Sequence, residues 1–265
     1  MTDDNRAEHG RAHGDSQPDE AGRLERLATL SQMVDREPPV RGHSPGLISS
    51  LNSLCAVALR EVPASGAGLS LTAGQPGAGS AAAWAGHNAQ ELEELQFSLG
   101  EGPCIEAVDV RRPAFEPDLT TTGSRRWPLY APAACALGAR AVFAVPLQMG
   151  AARLGVLDIY RDQPGSLTAE GMRDVFILAE VALALLLESQ RTRNRASFEN
   201  GMNEVVGHRT VIYQAQGKVM VALGISLPEA LSRLQAHAFS TGRTLAEVAQ
   251  DVLDGTTVLD KDSGT

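Results

Sequence analysis

The chain has 265 residues, 43% of them hydrophobic, and a formal net charge of −9. That apolar content excludes wholesale disorder, the length suits two modules, and the acidic balance lacks the basic footprint of a general nucleic-acid binder. The longest apolar stretch, Val175 to Leu187, is broken by Glu180 and is shorter than the ~18 residues of a membrane span; with no apolar leader before Gly22, a cytoplasmic protein without membrane attachment is expected.

Residues 1–18 are polar, rich in His, Gly and Asp, and expected to be disordered. Asp19 to Glu37 reads as a helix with Leu24, Leu27, Leu30 and Met33/Val34 on one stripe. A stripe on an isolated helix needs cover, either from its own domain or from a second copy. Pro38-Pro39 ends it.

Ser44 to Arg195 reads as one unit of mixed helices and strands. Ser44-Pro45 is a helix start, and Leu47, Leu51, Leu54 and Ala58 give that helix a buried face. Ala67 to Thr72 and Ser80 to Gly86 read as strands separated by a turn cluster from Ala73 to Gly77. The pattern from Asn88 to Glu91 predicts a capping box and a helix ending near Gly100. Ala139 to Gln148 and Arg153 to Tyr160 are the clearest strands, joined by a hairpin link at 149–152. Thr168 then caps a long helix through Phe176, Leu183 and Leu187. Antiparallel strand pairs flanked by helices make this unit α+β.

From 203 to 258 no strand pattern survives. Val205, Ile212, Ala215, Val219 and Leu223 line a first helix ending at Gly224. Ser226 to Glu229 and Thr244 to Glu247 are capping boxes that open two more helices, stopped by Gly242 and Gly255. The spacing predicts a three-helix bundle, small enough to gain from docking, dimerisation or a ligand.

Seven segments carry a resemblance to known families. Ile212 to Met220, Ile225 to Ala230 and Leu245 to Ala249 resemble the ANTAR domain of bacterial antitermination regulators. Leu99 to Ala107 with Gly102-Pro103-Cys104, then Arg126-Trp127-Pro128, Arg140 to Leu147 and Leu154 to Tyr160, resemble a GAF sensory domain of the kind fused to ANTAR in actinobacteria. The resemblance divides the chain into a disordered tail and short helix at 1–43, a GAF-like domain at 44–195, an ANTAR-like bundle at 196–258 and a tail at 259–265. It implies a homodimeric regulator that binds hairpins in nascent RNA and senses an unidentified small molecule or a redox state. Its sensed ligand and any cofactor stay unnamed.

The sequence departs from that family in charge. Gln216 stands where the family usually has lysine, with Lys218 beyond Gly217, and Asn203 to Val258 holds four Lys/Arg against five Asp/Glu. Arg191, Arg193 and Arg195 add positive charge just upstream. Phosphate contacts supply much of any RNA affinity, so the expected donors are Arg209, Lys218, Arg233, His237 and Arg243. Tyr213 either stacks on an extruded base or packs at the bundle edge. Gly217 reads as a point of close helix packing. A non-catalytic protein-interaction module is the alternative that the acidic balance favours.

In the sensor unit the expected ligand-lining residues are Trp84, Gly102, Cys104, Phe115, Trp127 and Phe143. Gly102-Pro103-Cys104 opens a short helix whose free N–H groups would suit an anion, or is a structural turn. Cys104 would ligate haem or sense oxidation through a lowered pKa, or lie buried and inert. The three cysteines, Cys55, Cys104 and Cys135, have no CxxC spacing, so neither a disulfide framework nor a metal site is expected. No HExxH, GxSxG or P-loop pattern occurs, so no catalytic residue is assigned and the chain is not expected to be an enzyme.

Overall fold

The computed structural model describes residues 16–38, 46–72, 79–191 and 209–259. Five strands, β1 (Gly66–Thr72), β2 (Gly79–Gly86), β3 (Ala114–Glu116), β4 (Ala141–Met149) and β5 (Ala152–Arg161), form one antiparallel sheet in the order β2-β1-β5-β4-β3. Alternation along the strands builds two different layers. Ala67, Leu69, Leu71, Phe143, Val145, Leu157 and Ile159 pack with helices α2 (Leu47–Glu61) and α7 (Ala169–Arg191). Val142, Ala144, Val156 and Tyr160 turn to the other face, which is covered by α3 (Ala89–Leu99), α4 (Pro103–Val110), the single turn α5 (Ser124–Arg126) and α6 (Tyr130–Ala136). A π-helical turn at Leu119–Gly123 leads into α5. The architecture is α+β, with β1, β2, β4 and β5 close to where the hydrophobic pattern predicts them and β3 an addition.

Helix α1 (Ser16–Arg36) resolves the choice left open for its apolar stripe: Leu30 and Val34 are buried in the α2/α7 layer. Arg26 fastens it, bonding Asp174 at 2.7 and 2.9 Å and Glu61 at 2.9 Å. Leu24 remains exposed. Thr168 caps α7 as expected, its hydroxyl accepting from Gly171 N–H at 3.0 Å. The buried stripe of α7 includes Val175, Leu178, Ala182 and Leu186, while Phe176 is 39% exposed.

One local reading changes. Helix α3 begins where expected, but Asn88 is left-handed at φ 52° and caps nothing; its side-chain amide donates to Leu137 O at 2.8 Å. It therefore ties α3 to the end of α6 instead of closing a capping box. Ser44-Pro45 and the 73–77 turn lie outside the described residues, and α2 is described from Leu47, preceded by Gly46.

The bundle follows its punctuation closely. Helices α8 (Thr210–Leu223), α9 (Leu227–Thr241) and α10 (Leu245–Asp254) end at left-handed Gly224, Gly242 and Gly255. Both capping boxes are complete: Ser226 with Glu229, and Thr244 with Glu247. Ile212, Ala215, Val219, Leu231, Leu234, Leu245, Val248 and Val252 form its core. Leu259, placed in the tail by the sequence reading, packs into that core. Among the described residues no helix is long and apolar enough to cross a membrane.

Candidate functional site

The face of the sheet under α3 and α4 encloses a polar centre. Strand β1 contributes Ser70, β5 contributes Asp158 and Tyr160, α3 contributes Glu93 and Gln96, α4 contributes Cys104, and α6 contributes Tyr130. Asp158 and Tyr130 are 0% exposed, and Glu93 only 2%. Glu93 lies directly over Gly68 of β1, where any Cβ would collide with its carboxylate. Ser70 donates to Glu93 at 2.5 Å and Tyr160 donates at 2.8 Å, while Gln96 donates to the Tyr160 hydroxyl at 2.9 Å. Asp158 is different. Neither of its oxygens has a hydrogen-bond partner, and the Tyr130 hydroxyl is likewise buried and unpartnered.

A buried orphan carboxylate is costly, so such groups mark places where something besides packing is selected. Burial, then the neighbouring Glu93 charge, pushes the Asp158 carboxyl well above the usual range. Burial raises Glu93 too, against the opposing hydrogen bonds from Ser70 and Tyr160. Among the described residues no Lys, Arg or His pairs with either carboxylate.

The expected ligand-lining residues are divided by the sheet. Cys104, Trp127 and Gly102 lie on the polar side. Phe115 and Phe143 belong to the opposite layer, their rings tilted to one another with centroids 5.7 Å apart, and Phe115 is 6.2 Å from Phe176. They fill a core that does not reach the polar centre. Trp84 pairs across the strands with Gly68 and is half-buried. Trp127 is buried, donating its indole N–H to Glu106 at 3.1 Å beneath the Arg126 guanidinium.

The anion reading of Gly102-Pro103-Cys104 is corrected. Cys104 N–H already donates to Gln96 Oε1 at 2.7 Å, and the nearest charges are the carboxylates Glu93 and Asp158. The lowered thiol pKa is corrected too: burial first, then Asp158 and Glu93, pushes Cys104 well above an ordinary thiol. Helix α4 has eight residues, and its dipole does not offset that burial.

On the bundle, the expected RNA donors fall into three groups. Arg209 is only 2% exposed and cannot reach a phosphate on the outer surface. Its guanidinium bonds Gly79 O and Glu94, the latter at 2.9 Å, and sits 3.5 Å over the Phe97 ring. Lys218 and Arg243 are on the surface but engaged. Lys218 caps α10 by donating to Val252 O and Leu253 O at 2.7 and 3.0 Å, and Arg243 pairs with Asp251 at 2.6 Å. Arg233 and His237 are half-buried, and Tyr213 is half-buried with an enclosed, unpartnered hydroxyl. The packing role of Gly217 is overturned, since a Cβ there meets nothing within 4 Å.

Arg209 belongs to a seam that sequence reasoning missed. Phe97 of α3 is buried in the bundle core, and Gln235 of α9 donates to Phe97 O at 2.7 Å. Helix α3 thus touches both sites, with Glu93 and Gln96 in the polar centre and Glu94 and Phe97 on the bundle. Contacts between residues more than 100 positions apart leave no local spacing to detect.

The family model of the ANTAR domain matches residues 201–253, of which 201–208 lie outside the described residues. The chain therefore carries an ANTAR domain at those positions. None of the curated proteins matches the chain. Among solved structures, the sheet unit is similar to the GAF domain of an Acinetobacter phosphoenolpyruvate-protein phosphotransferase, at 14% identity over 65% of this chain and 98% of that one, with a TM-score of 0.48. It is also similar to the corresponding GAF domain from Coxiella burnetii, at 19% identity over 64% and 96%, with a TM-score of 0.46. A free methionine-R-sulfoxide reductase from Neisseria meningitidis, solved with its substrate, gives 17% identity over 70% and 98%, with a TM-score of 0.46.

Proposed function

We propose that this chain is a signal-responsive transcription antitermination regulator: its bundle binds hairpins in nascent RNA and its sheet unit senses a small molecule or redox state. The observation that carries the reading is the ANTAR match over a bundle with the predicted helices and caps. The grip on RNA uses the outer face of α8 with the α9–α10 turn. Gly217 leaves open space beside Lys218 on α8, and Arg243 follows α9 at the turn. The Arg243–Asp251 pair is exposed, so releasing the arginine to a phosphate costs little. Tyr213, Arg233 and His237 complete the contact set, and Arg209 is reassigned to the seam.

Coupling runs through α3. A signal that moves Glu93 or Gln96 moves Glu94 and Phe97 on the same helix, and with them the docked bundle. Allostery needs two states that the two ligands weight differently, and a helix shared by both sites supplies the mechanical link. RNA recovered with the full-length chain from cells tests the reading. The wild type should retain hairpin transcripts, and Lys218→Glu/Arg243→Glu should lose them with the fold intact; equal recovery contradicts it.

A second reading has its own observation. Val221 and Phe239 are exposed at 75% and 59% while Lys218 and Arg243 are engaged internally. A protein partner, with no RNA contact, would use that surface, and the chain would then be a non-catalytic sensor and interaction module.

A further inference from the structure

The geometry points to a divalent transition-metal site at Glu93, Cys104 and Asp158, which names the class of ligand that the sheet unit takes. One ligand atom from each residue lies within 4.8 Å of the other two, and all three side chains are buried. They arrive from α3, α4 and β5, so the site is fixed by tertiary packing. The independent observation is Asp158, fully buried with both oxygens unpartnered beside the other two donors. A bound cation satisfies it and relieves two enclosed carboxylates that have no basic partner.

The donor set selects the ion. One sulfur and two carboxylate oxygens suit a borderline ion such as Zn²⁺, Co²⁺ or Fe²⁺. Ca²⁺ takes six to eight oxygens and Mg²⁺ demands octahedral oxygen coordination, neither of which is offered here. Metal–ligand bonds of about 2.0–2.3 Å put tetrahedral ligands roughly 3.5 Å apart, so the three side chains need to close by only about 1 Å. Three protein ligands leave a fourth position open, and the unpartnered Tyr130 hydroxyl lies beside the cluster to hydrogen-bond whatever fills it. Binding converts the Cys104 thiol to a thiolate and releases its proton, together with any proton shared by the carboxylate pair. Glu93 is already oriented by Ser70 and Tyr160, as an outer shell requires.

This inference rests on the sensor half of the proposed function and is independent of RNA. The test is titration of the full-length, chelator-treated chain with Co²⁺ and with Zn²⁺. We expect one equivalent bound, a thiolate-to-cobalt charge-transfer band, and a higher thermal midpoint with metal. Cys104→Ser should abolish the band. Asp158→Asn should weaken affinity by roughly 100-fold or more, beyond the 10–100-fold typical of losing an outer-shell partner. Cys135→Ser should leave both band and affinity unchanged. Circular dichroism of each metal-free variant controls for folding. Should the ligand variants fail to fold, the wild-type band in the Cys135→Ser background decides the matter. Less than about 0.1 equivalent bound at micromolar free metal, or affinity unchanged by both Cys104→Ser and Asp158→Asn, overturns the site. A chain that takes metal but no hairpin contradicts only the RNA reading, and one that binds hairpins without metal contradicts only this inference.

Discussion

The two halves of this protein treat most polar groups in opposite ways, the enclosed Tyr213 hydroxyl of the bundle being an exception. In the bundle, polar side chains serve the fold: Ser226 and Thr244 cap helices, Gln216 bonds Leu227 O at 2.7 Å, and Lys218 closes the end of α10. Under the sheet, Asp158 is sealed away with no partner and faces a second carboxylate. Local agreement of sequence and structure marks a module built for stability, and a buried violation of it marks a site. The bundle spends most of its polar groups on its own helix ends, whereas the sheet unit encloses two adjacent carboxyls, one of them without a hydrogen-bond partner.

The harshest way to break that contrast is to empty the bundle core. Leu234 is 0% exposed, and Leu234→Ala should cost about 2–5 kcal/mol, which a bundle this small does not tolerate. Hairpin binding should vanish, while metal uptake by the sheet unit persists; loss of both would show one cooperative unit. Next comes the seam. Arg209→Met removes the contacts to Glu94, Gly79 O and Phe97. The substitution should leave hairpin affinity measurable but insensitive to metal; an unchanged response would move the coupling route away from α3.

The imbalance itself can be sharpened with Asp158→Asn in the metal-free chain. Both carboxyls are raised in the fold, so the folded state holds protons that the unfolded chain releases. Wild-type stability therefore falls as pH rises above the ordinary carboxyl range of about 4, through the raised folded values. The groups facing this pair are Ser70, Gln96, Cys104, Tyr130 and Tyr160, with Arg209 acting at longer range. Asp158→Asn should raise the neutral-pH thermal midpoint by about a few degrees and flatten the pH slope. A lower midpoint at pH 7 would mean that the aspartate is structurally satisfied.

Smaller effects probe the bundle's local grammar. Ser226→Ala and Thr244→Ala should each cost about 1 kcal/mol in thermal unfolding. Gly217→Ala should stabilise α8 by up to about 1 kcal/mol, since open space surrounds the added methyl. If α8 grips RNA, the same change lowers hairpin affinity despite the added stability; unaltered affinity would leave that glycine without a role.

These differences explain what was legible in the sequence. Helix ends and strands are encoded within a few residues, so capping boxes and alternation place the bundle and four of the five strands. The three-residue strand β3 is too short to leave a pattern. Asn88 shows the limit of such grammar: its cap signature is intact, yet a tertiary bond to Leu137 O takes the side chain. The polar centre was nearly invisible. Cys104 stood out as a lone cysteine, but Glu93 and Asp158 are 65 positions apart and only the pairing of β1 with β5 brings them together. Phe115 and Phe143 are expected at the ligand, but strand alternation sends them to the other face. Arg209 is expected as an RNA donor, but partners more than 100 residues upstream, Gly79 and Glu94, hold it in the seam.

The most direct measurement is hairpin affinity of the full-length chain across a salt series. Phosphate contacts release counterions, so the account predicts measurable binding at ~50 mM salt and an affinity that falls linearly on a log–log plot, more shallowly for Lys218→Glu/Arg243→Glu. Negligible binding at ~50 mM salt, or a slope that those two substitutions do not change, would contradict it.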